Sequence, residues 1–158
     1  MIIRTFDVFF SVIGLLILFP FFIFIGIVIL WDSKGGIFYQ QVRIGKNGVP
    51  FNLLKFRTMY IDADKKGLLT VGSRDPRITP IGYFLRKYKI DELPQLINVF
   101  LGTMSMVGPR PEVERYVKLY TKEQKNILSI RPGITDYASI SFFDENTLLS
   151  KCLDPEET

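Results

Sequence analysis

Two adjacent carboxylates, Asp91 and Glu92, open the stretch DELPQLINV at residues 91–99. Arg86, Lys87 and Lys89 precede them, and the turn Gly108-Pro109-Arg110-Pro111 follows. Such a pair can serve as a nucleophile or as a ligand to a hard cation. It can equally be a plain helix cap, with Asp91 at the N-cap and Glu92 in the first turn. Free amides and the helix dipole favour negative charge there by about 0.3–1 kcal/mol. On that register both acids are ionised at about pH 7. Three neighbouring cations are more than a cap needs, however. Two proline-stiffened turns, Gly108–Pro111 and Arg131-Pro132-Gly133, each hold an arginine stiffly, as bidentate phosphate recognition favours. The combination suggests an ionised carboxylate facing a phosphate-bearing ligand, with a hard cation to bridge them.

Composition narrows the chemistry. None of the 158 residues is histidine, so imidazole is neither a base nor a metal ligand, and a lone Cys152 excludes an internal disulfide. Apolar residues make up 47% and mean hydropathy is +0.20. Residues 8–31, VFFSVIGLLILFPFFIFIGIVILW, carry no charge. At about 1.5 Å per residue, that run is long enough for a hydrocarbon layer of roughly 30 Å. Residues 34–89 hold twelve Lys/Arg against three Asp/Glu, whereas residues 90–158 hold seven against eleven. A basic block just after an apolar run suits an anionic leaflet or phosphate-bearing substrates.

Pro20 interrupts the apolar run. It predicts either a kinked spanning helix or a re-entrant helix-break-helix that enters and leaves one leaflet. Cations on both flanks, Arg4 before and Lys34, Arg43 and Lys46 after, are what a same-side hairpin requires.

The elements that must position the acids follow from local pattern. Residues 37–59 read as a β-hairpin around Asn47-Gly48, a type I′ dipeptide. Residues 60–78 read as a loop or lid. Thr79-Pro80 starts an amphipathic helix with Ile81, Phe84, Leu85 and Tyr88 on one face. A second helix carries the stripe Leu93, Leu96, Ile97, Phe100 and Leu101 and closes at Gly102. A third runs from Glu112 to Tyr120, and a capping box at Thr121 and Gln124 opens a fourth. The fold class is α+β and helix-dominated. A membrane segment, 1–31, joins a small cytoplasmic domain, 32–158, with a β-hairpin and amphipathic interfacial helices.

Four segments, KFRTM (55–59), DELPQLINV (91–99), MSMVGPRPE (104–112) and RPGIT (131–135), stand here in characteristic order and spacing. In these the chain resembles the bacterial sugar transferases of the monotopic phosphoglycosyl transferase superfamily. The resemblance implies transfer of a phospho-sugar from a UDP-sugar to polyprenol phosphate, releasing UMP, at the start of glycoconjugate or exopolysaccharide assembly. It implies that Asp91 is the nucleophile and carries the phospho-sugar covalently, and that Glu92 holds Mg²⁺. Lys55, Arg57, Arg86, Arg110 and Pro111 fall on positions implied to meet phosphate or nucleotide, with a solvated strand edge the alternative for Lys55 and Arg57. Arg131 falls on a position implied either to contact phosphate or to position a loop. The resemblance selects the re-entrant helix broken at Pro20, on the cytoplasmic face of the bacterial inner membrane and in contact with one leaflet. A homodimer is compatible with this reading.

The chain departs from the family in three places: Phe19 stands where Ser is common, Thr103 where Asp is common, and DPEET ends a chain whose relatives usually continue, which implies a truncated C-terminus. Residues 134–143 are expected near the sugar. The rival class is a non-catalytic membrane-tethered module whose basic block binds anionic lipid or a protein partner. Nothing resembles a nucleic-acid-binding motif.

Overall fold

The computed structural model describes residues 2–63 and 75–136. The uncharged run lies within one helix, α1, Ile2–Asp32, which is long and apolar enough to cross a membrane. Its helical assignment continues through Pro20, so the expected helix-break-helix does not divide into two helices. A proline removes one hydrogen bond of the ladder and the turns on either side keep theirs. A stripe spaced by three and four residues, Asp7, Ser11, Gly14, Leu18, Phe22, Ile25 and Ile29, turns toward the rest of the chain. Leu16, Ile17 and Phe19 face outward.

The hairpin forms as expected. Strands β1 (Phe38–Ile44) and β2 (Pro50–Phe56) pair antiparallel from Phe38 opposite Phe56 to Ile44 opposite Pro50. At the tip, Asn47 and Gly48 have φ of 59° and 76°, and the Val49 amide donates to Lys46 O at 3.2 Å. Those are the signs a type I′ turn needs.

Thr79 caps α2 (Pro80–Lys87), its hydroxyl accepting from the Gly82 amide at 2.9 Å. Gly82 lies so close to the Thr58 carbonyl that a Cβ would overlap it, which lets α2 sit on the strand end. Only Leu85 and, in part, Ile81 of the expected face turn inward. Phe84 and Tyr88 are exposed and pack on one another with centroids 4.7 Å apart.

The second helix is shorter than its stripe suggests. Here α3 is Gln95–Leu101, closed by Gly102 in the left-handed region at φ 87°. Its inward face is Gln95, Leu96, Asn98 and Val99, while Phe100 and Leu101 are exposed. The Asn98 side chain anchors this face. It accepts from the Leu54 amide at 3.0 Å and donates to Asn52 O at 2.8 Å, docking α3 on the edge of β2.

Strand β3 (Ser105–Val107) pairs in parallel with β4 (Gly133–Thr135), a small sheet that local pattern does not announce. The expected third helix shrinks to α4, Glu114–Val117, and the fourth to a 3₁₀ run, Gln124–Ser129. The capping box is nevertheless present. The Thr121 amide donates to Gln124 Oε1 at 2.8 Å, and the Gln124 amide donates to Thr121 Oγ1 at 3.2 Å. Most of the expected lid and most of the expected sugar-facing segment lie outside the described residues, as does the C-terminal tail.

Two apolar clusters hold these parts together. Ile25, Ile29, Phe56 and Leu85 join α1 to β2 and α2, with Phe22 edge-on to Phe56 at 5.2 Å. Leu53, Val99 and Met104 join β2 to α3 and β3. Burying each large side chain contributes roughly 1.5–3 kcal/mol. The fold is thus helix-rich around small sheets, with one long apolar helix laid against it.

Candidate active site

A cleft of about 450 Å³ opens between the hairpin, the loop after β2 and the turn joining α2 to α3. Asp91 and Glu92 both line it, together with Arg43, Lys55, Arg57, Arg86, Lys89 and Arg110. Six cations thus converge on a pocket holding both members of the acid pair.

Asp91 does not cap a helix. It sits in a 3₁₀ turn, Ile90–Glu92, entered through Lys89 in the left-handed region at φ 56°. That turn satisfies its amides with backbone, Glu92 N on Lys89 O at 3.3 Å and Leu93 N on Ile90 O at 3.2 Å. The Asp91 carboxylate is therefore left over. It is 7% exposed, and its Oδ1 is buried with no hydrogen-bond partner among the described residues. Buried polar atoms are rarely left so, because desolvation without a partner costs about 1–3 kcal/mol. Burial raises the Asp91 carboxyl above the usual aspartate range, opposed by the charges of Lys55, Arg86 and Lys89.

Glu92 differs from its neighbour. Burial alone would raise its carboxyl too, but the Lys55 ammonium at 2.8 Å from Oε1 outweighs it, with help from Arg110 and Lys89. Its carboxyl is held below the usual glutamate range. Adjacent acids are thus pushed apart, the pattern of groups with separate chemical roles.

The other expected residues divide. Lys55 faces the cleft and holds Glu92. Arg86 is half-buried, its Nε donating to Thr58 Oγ1 at 2.8 Å, and burial pulls its guanidinium below the ordinary value against the Asp91 charge. Arg110 is exposed at the cleft, and Pro111 is buried behind it. Arg57 borders the cleft, but two of its nitrogens hold backbone carbonyls at the end of α1. Arg131 is not brought into the cleft lining; its backbone backs onto Gly108 instead.

Strand β1 adds Tyr39, Gln41 and Arg43, which the motifs did not single out. Alternation was their signal, since residues at i, i+2 and i+4 share one face of a strand. Arg43 donates to Pro111 O at 3.1 Å and to Gln41 Oε1 at 2.8 Å, and the Ile44 amide donates to Glu112 O at 2.8 Å. These bonds fasten the Arg110 turn to the hairpin.

The fold and site define a protein with one long apolar helix, long enough to cross a membrane, and a carboxylate pair in a cation-lined cleft. The profile of the bacterial sugar transferase family matches residues 1–155. The exopolysaccharide production protein PSS of Rhizobium leguminosarum bv. phaseoli is 48% identical over 148 residues, covering 87% of this chain and 72% of that protein. The exopolysaccharide production protein ExoY of Sinorhizobium fredii (strain NBRC 101917 / NGR234) is 39% identical over 153 residues, covering 87% and 68% respectively. The UDP-glucose:undecaprenyl-phosphate glucose-1-phosphate transferase of Escherichia coli (strain K12) is 35% identical over 141 residues, covering 87% of this chain and 30% of that longer protein. The chain belongs to the bacterial sugar transferase family, and it is an enzyme of the sugar-1-phosphate transferase kind.

Proposed function

We propose that this chain transfers a sugar-1-phosphate from a UDP-sugar to a polyprenol phosphate of the undecaprenyl class, through a covalent intermediate on Asp91. One observation carries this reading: Asp91 Oδ1, buried and unpartnered among the described residues, in a cleft lined by Lys55, Arg86, Lys89 and Arg110. An Asp91 oxygen attacks the β-phosphorus of the donor. The bond from that phosphorus to the bridging oxygen breaks, and UMP leaves with the electron pair. A phosphate oxygen of the acceptor then attacks the same phosphorus, forming the polyprenyl diphosphate sugar and freeing the Asp91 carboxylate. Two polyanions approach an anionic nucleophile, and Lys55, Arg86, Lys89 and Arg110 lower that electrostatic barrier.

The acid pair fits magnesium. That ion takes one or two carboxylates and completes its shell with substrate phosphates and water. Among the described residues no group of three or more acids, histidines or cysteines gathers, so two carboxylates plus diphosphate is the donor set on offer. Glu92, held ionised by Lys55, would hold the ion, which when bound neutralises diphosphate charge.

Both ends of α1 touch the same domain. Arg4 Nη2 donates to Phe100 O at 2.7 Å near one end, and Asp32 Oδ2 accepts from the Ile81 amide at 3.3 Å at the other. A spanning helix would leave its ends on opposite faces of the bilayer. This supports a helix that dips into one leaflet, on the cytoplasmic side where UDP-sugars are made. The names of relatives include a glucose-1-phosphate transferase and a galactosyl transferase, so the family alone does not select the sugar.

Intact mass spectrometry after incubation with Mg²⁺ and a panel of UDP-sugars tests the reading. The expected result is a mass gain of one phospho-sugar, removed by added polyprenol phosphate and absent in Asp91→Asn. UMP release without any adduct would count against a covalent Asp91.

A further inference from the structure

The arginine of KFRTM does not present itself as a phosphate ligand. Arg57 is 8% exposed, although it borders the cleft. Its Nη2 donates to Ser33 O at 2.7 Å and its Nη1 to Lys34 O. Its Nε is buried without a hydrogen-bond partner among the described residues. Its backbone amide donates to Ile37 O at 2.8 Å. Side chain and backbone of one residue therefore hold both sides of the connection from α1 to β1.

The connection is shaped to receive it. The last turn of α1 carries no basic residue, and Arg57, just past the end of β2, supplies a cation there. Gly35 has φ of 129°, and a Cβ there would overlap the Arg57 guanidinium. Glycine at 35 thus leaves the space the guanidinium fills. Just before the connection stands Trp31, the sole tryptophan, 87% exposed at the end of the apolar helix. Two residues before Arg57, near the end of β2, is Lys55, which holds Glu92 at 2.8 Å. The chain's exit from the apolar helix and the acid pair are therefore linked through one short segment.

We propose that Arg57 is a positioning residue: its guanidinium locks the Ser33–Gly35 junction and so fixes where α1 leaves the lipid relative to the cleft holding Asp91. A donor sugar nucleotide arrives from water and meets the cleft directly. The acceptor phosphate arrives from the lipid, so its reach to Asp91 depends on the height of the cleft above the membrane. Loosening the latch therefore impairs the lipid-borne step and spares the water-borne one. The acceptor arm of the test rests on the sugar-phosphate transfer reading; the tryptophan arm does not.

The test uses the full chain in lipid nanodiscs with Arg57→Ala, Arg57→Lys and Gly35→Ala. Trp31 depth is read by quenching with lipids brominated at different chain positions. The two half-reactions are read as adduct formation from the donor and adduct discharge to polyprenol phosphate. All three variants are expected to shift the quenching profile. Discharge should slow by about 10- to 100-fold, the scale of an ångström-level misplacement, with adduct formation and donor KM within about threefold of wild type. Arg57→Lys keeps the charge but cannot bridge two carbonyls, so it should follow Arg57→Ala. Gly35→Ala has no phosphate-binding group to lose, so its agreement with the arginine variants is the decisive arm. An unchanged Trp31 profile overturns the proposal. So does a rise in donor KM confined to Arg57→Ala with Arg57→Lys near normal, which would make the guanidinium a phosphate ligand. If wild type forms no adduct with any donor, the quenching profile alone decides.

Discussion

Asp91 and Glu92 share a turn and a set of cations, yet their carboxyls move in opposite directions. The consequences for stability have opposite signs. Asp91, raised mainly by burial, contributes stability that is complete below the ordinary aspartate value of about 3.9 and is lost as pH rises through its raised value. Glu92, lowered because Lys55 outweighs burial, contributes stability that is complete above about 4.3 and is lost as pH falls through its lowered value. Asp91→Asn removes a buried charge that strains the fold at neutral pH. It should raise Tm by about 2–4 °C near pH 7 while abolishing the adduct. Glu92→Gln should lower Tm there and leave Lys55 without its partner. Thermal melts of both variants between about pH 4 and 7.5 check these signs, and a lower Tm for Asp91→Asn at pH 7 would falsify the reading of Asp91 as a destabilising, functional carboxylate. The same burial implies that the acid limb of the rate profile lies above the ordinary aspartate value.

At the scale of elements, the helices borrow what their own sequences lack. Neither α1 nor α3 has a basic residue in its last turn. Arg4 of α1 donates to Val99 O at 2.5 Å and Phe100 O at 2.7 Å at the end of α3, much as Arg57 serves α1. Asp7 of α1 accepts from Ser105 Oγ at 2.9 Å and from the Met106 amide at 2.9 Å, so a buried carboxylate ties the apolar helix to β3. Asn98 performs the equivalent docking of α3 on β2. Asn98→Ala would leave the Leu54 amide and the Asn52 carbonyl short of a partner, a loss of about 2 kcal/mol. Chemical denaturation in detergent should show a lower midpoint for Asn98→Ala with the slope unchanged. A change below about 0.5 kcal/mol would mean that water replaces the amide there and that apolar contacts alone orient α3.

For the whole molecule, the long helix and the cleft form one assembly. The inward stripe of α1 runs from Asp7 to Ile29 and supplies Ile25 and Ile29 to the cluster around Phe56. The outward face of α1, with exposed Phe84, Tyr88, Phe100 and Leu101 on α2 and α3, offers lipid an apolar surface. If α1 dips into one leaflet, single cysteines placed at Ile3 and Lys34 in a Cys152→Ser background should both react with a membrane-impermeant maleimide from the same side of oriented vesicles. Labelling from opposite sides would make α1 a spanning helix.

Features that depend on neighbours in the chain are legible before folding. The uncharged run compels a long apolar helix, Asn47-Gly48 compels the tight turn, and Thr79-Pro80 compels a helix start. Four short motifs in order were enough to find the family, the acid pair and most of its cations. What local pattern could not decide were properties that depend on distant partners. In sequence Asp91 reads either as a cap or as a reactive carboxylate, and only the folded turn shows that it caps no helix and leaves Oδ1 without a partner among the described residues. Arg57 reads in sequence as a phosphate contact or a solvated strand edge, and Arg131 as a phosphate contact or a loop-positioning residue. Tertiary structure alone turns one toward the end of α1 and keeps the other out of the cleft. The stripe of α3 predicted Phe100 inside, but the helix docks on the strand edge through Asn98 and leaves Phe100 exposed. Turn chemistry and hydropathy act between neighbours in the chain, so sequence displays them. Desolvation and charge pairing act through space, so they exist only once the chain has folded.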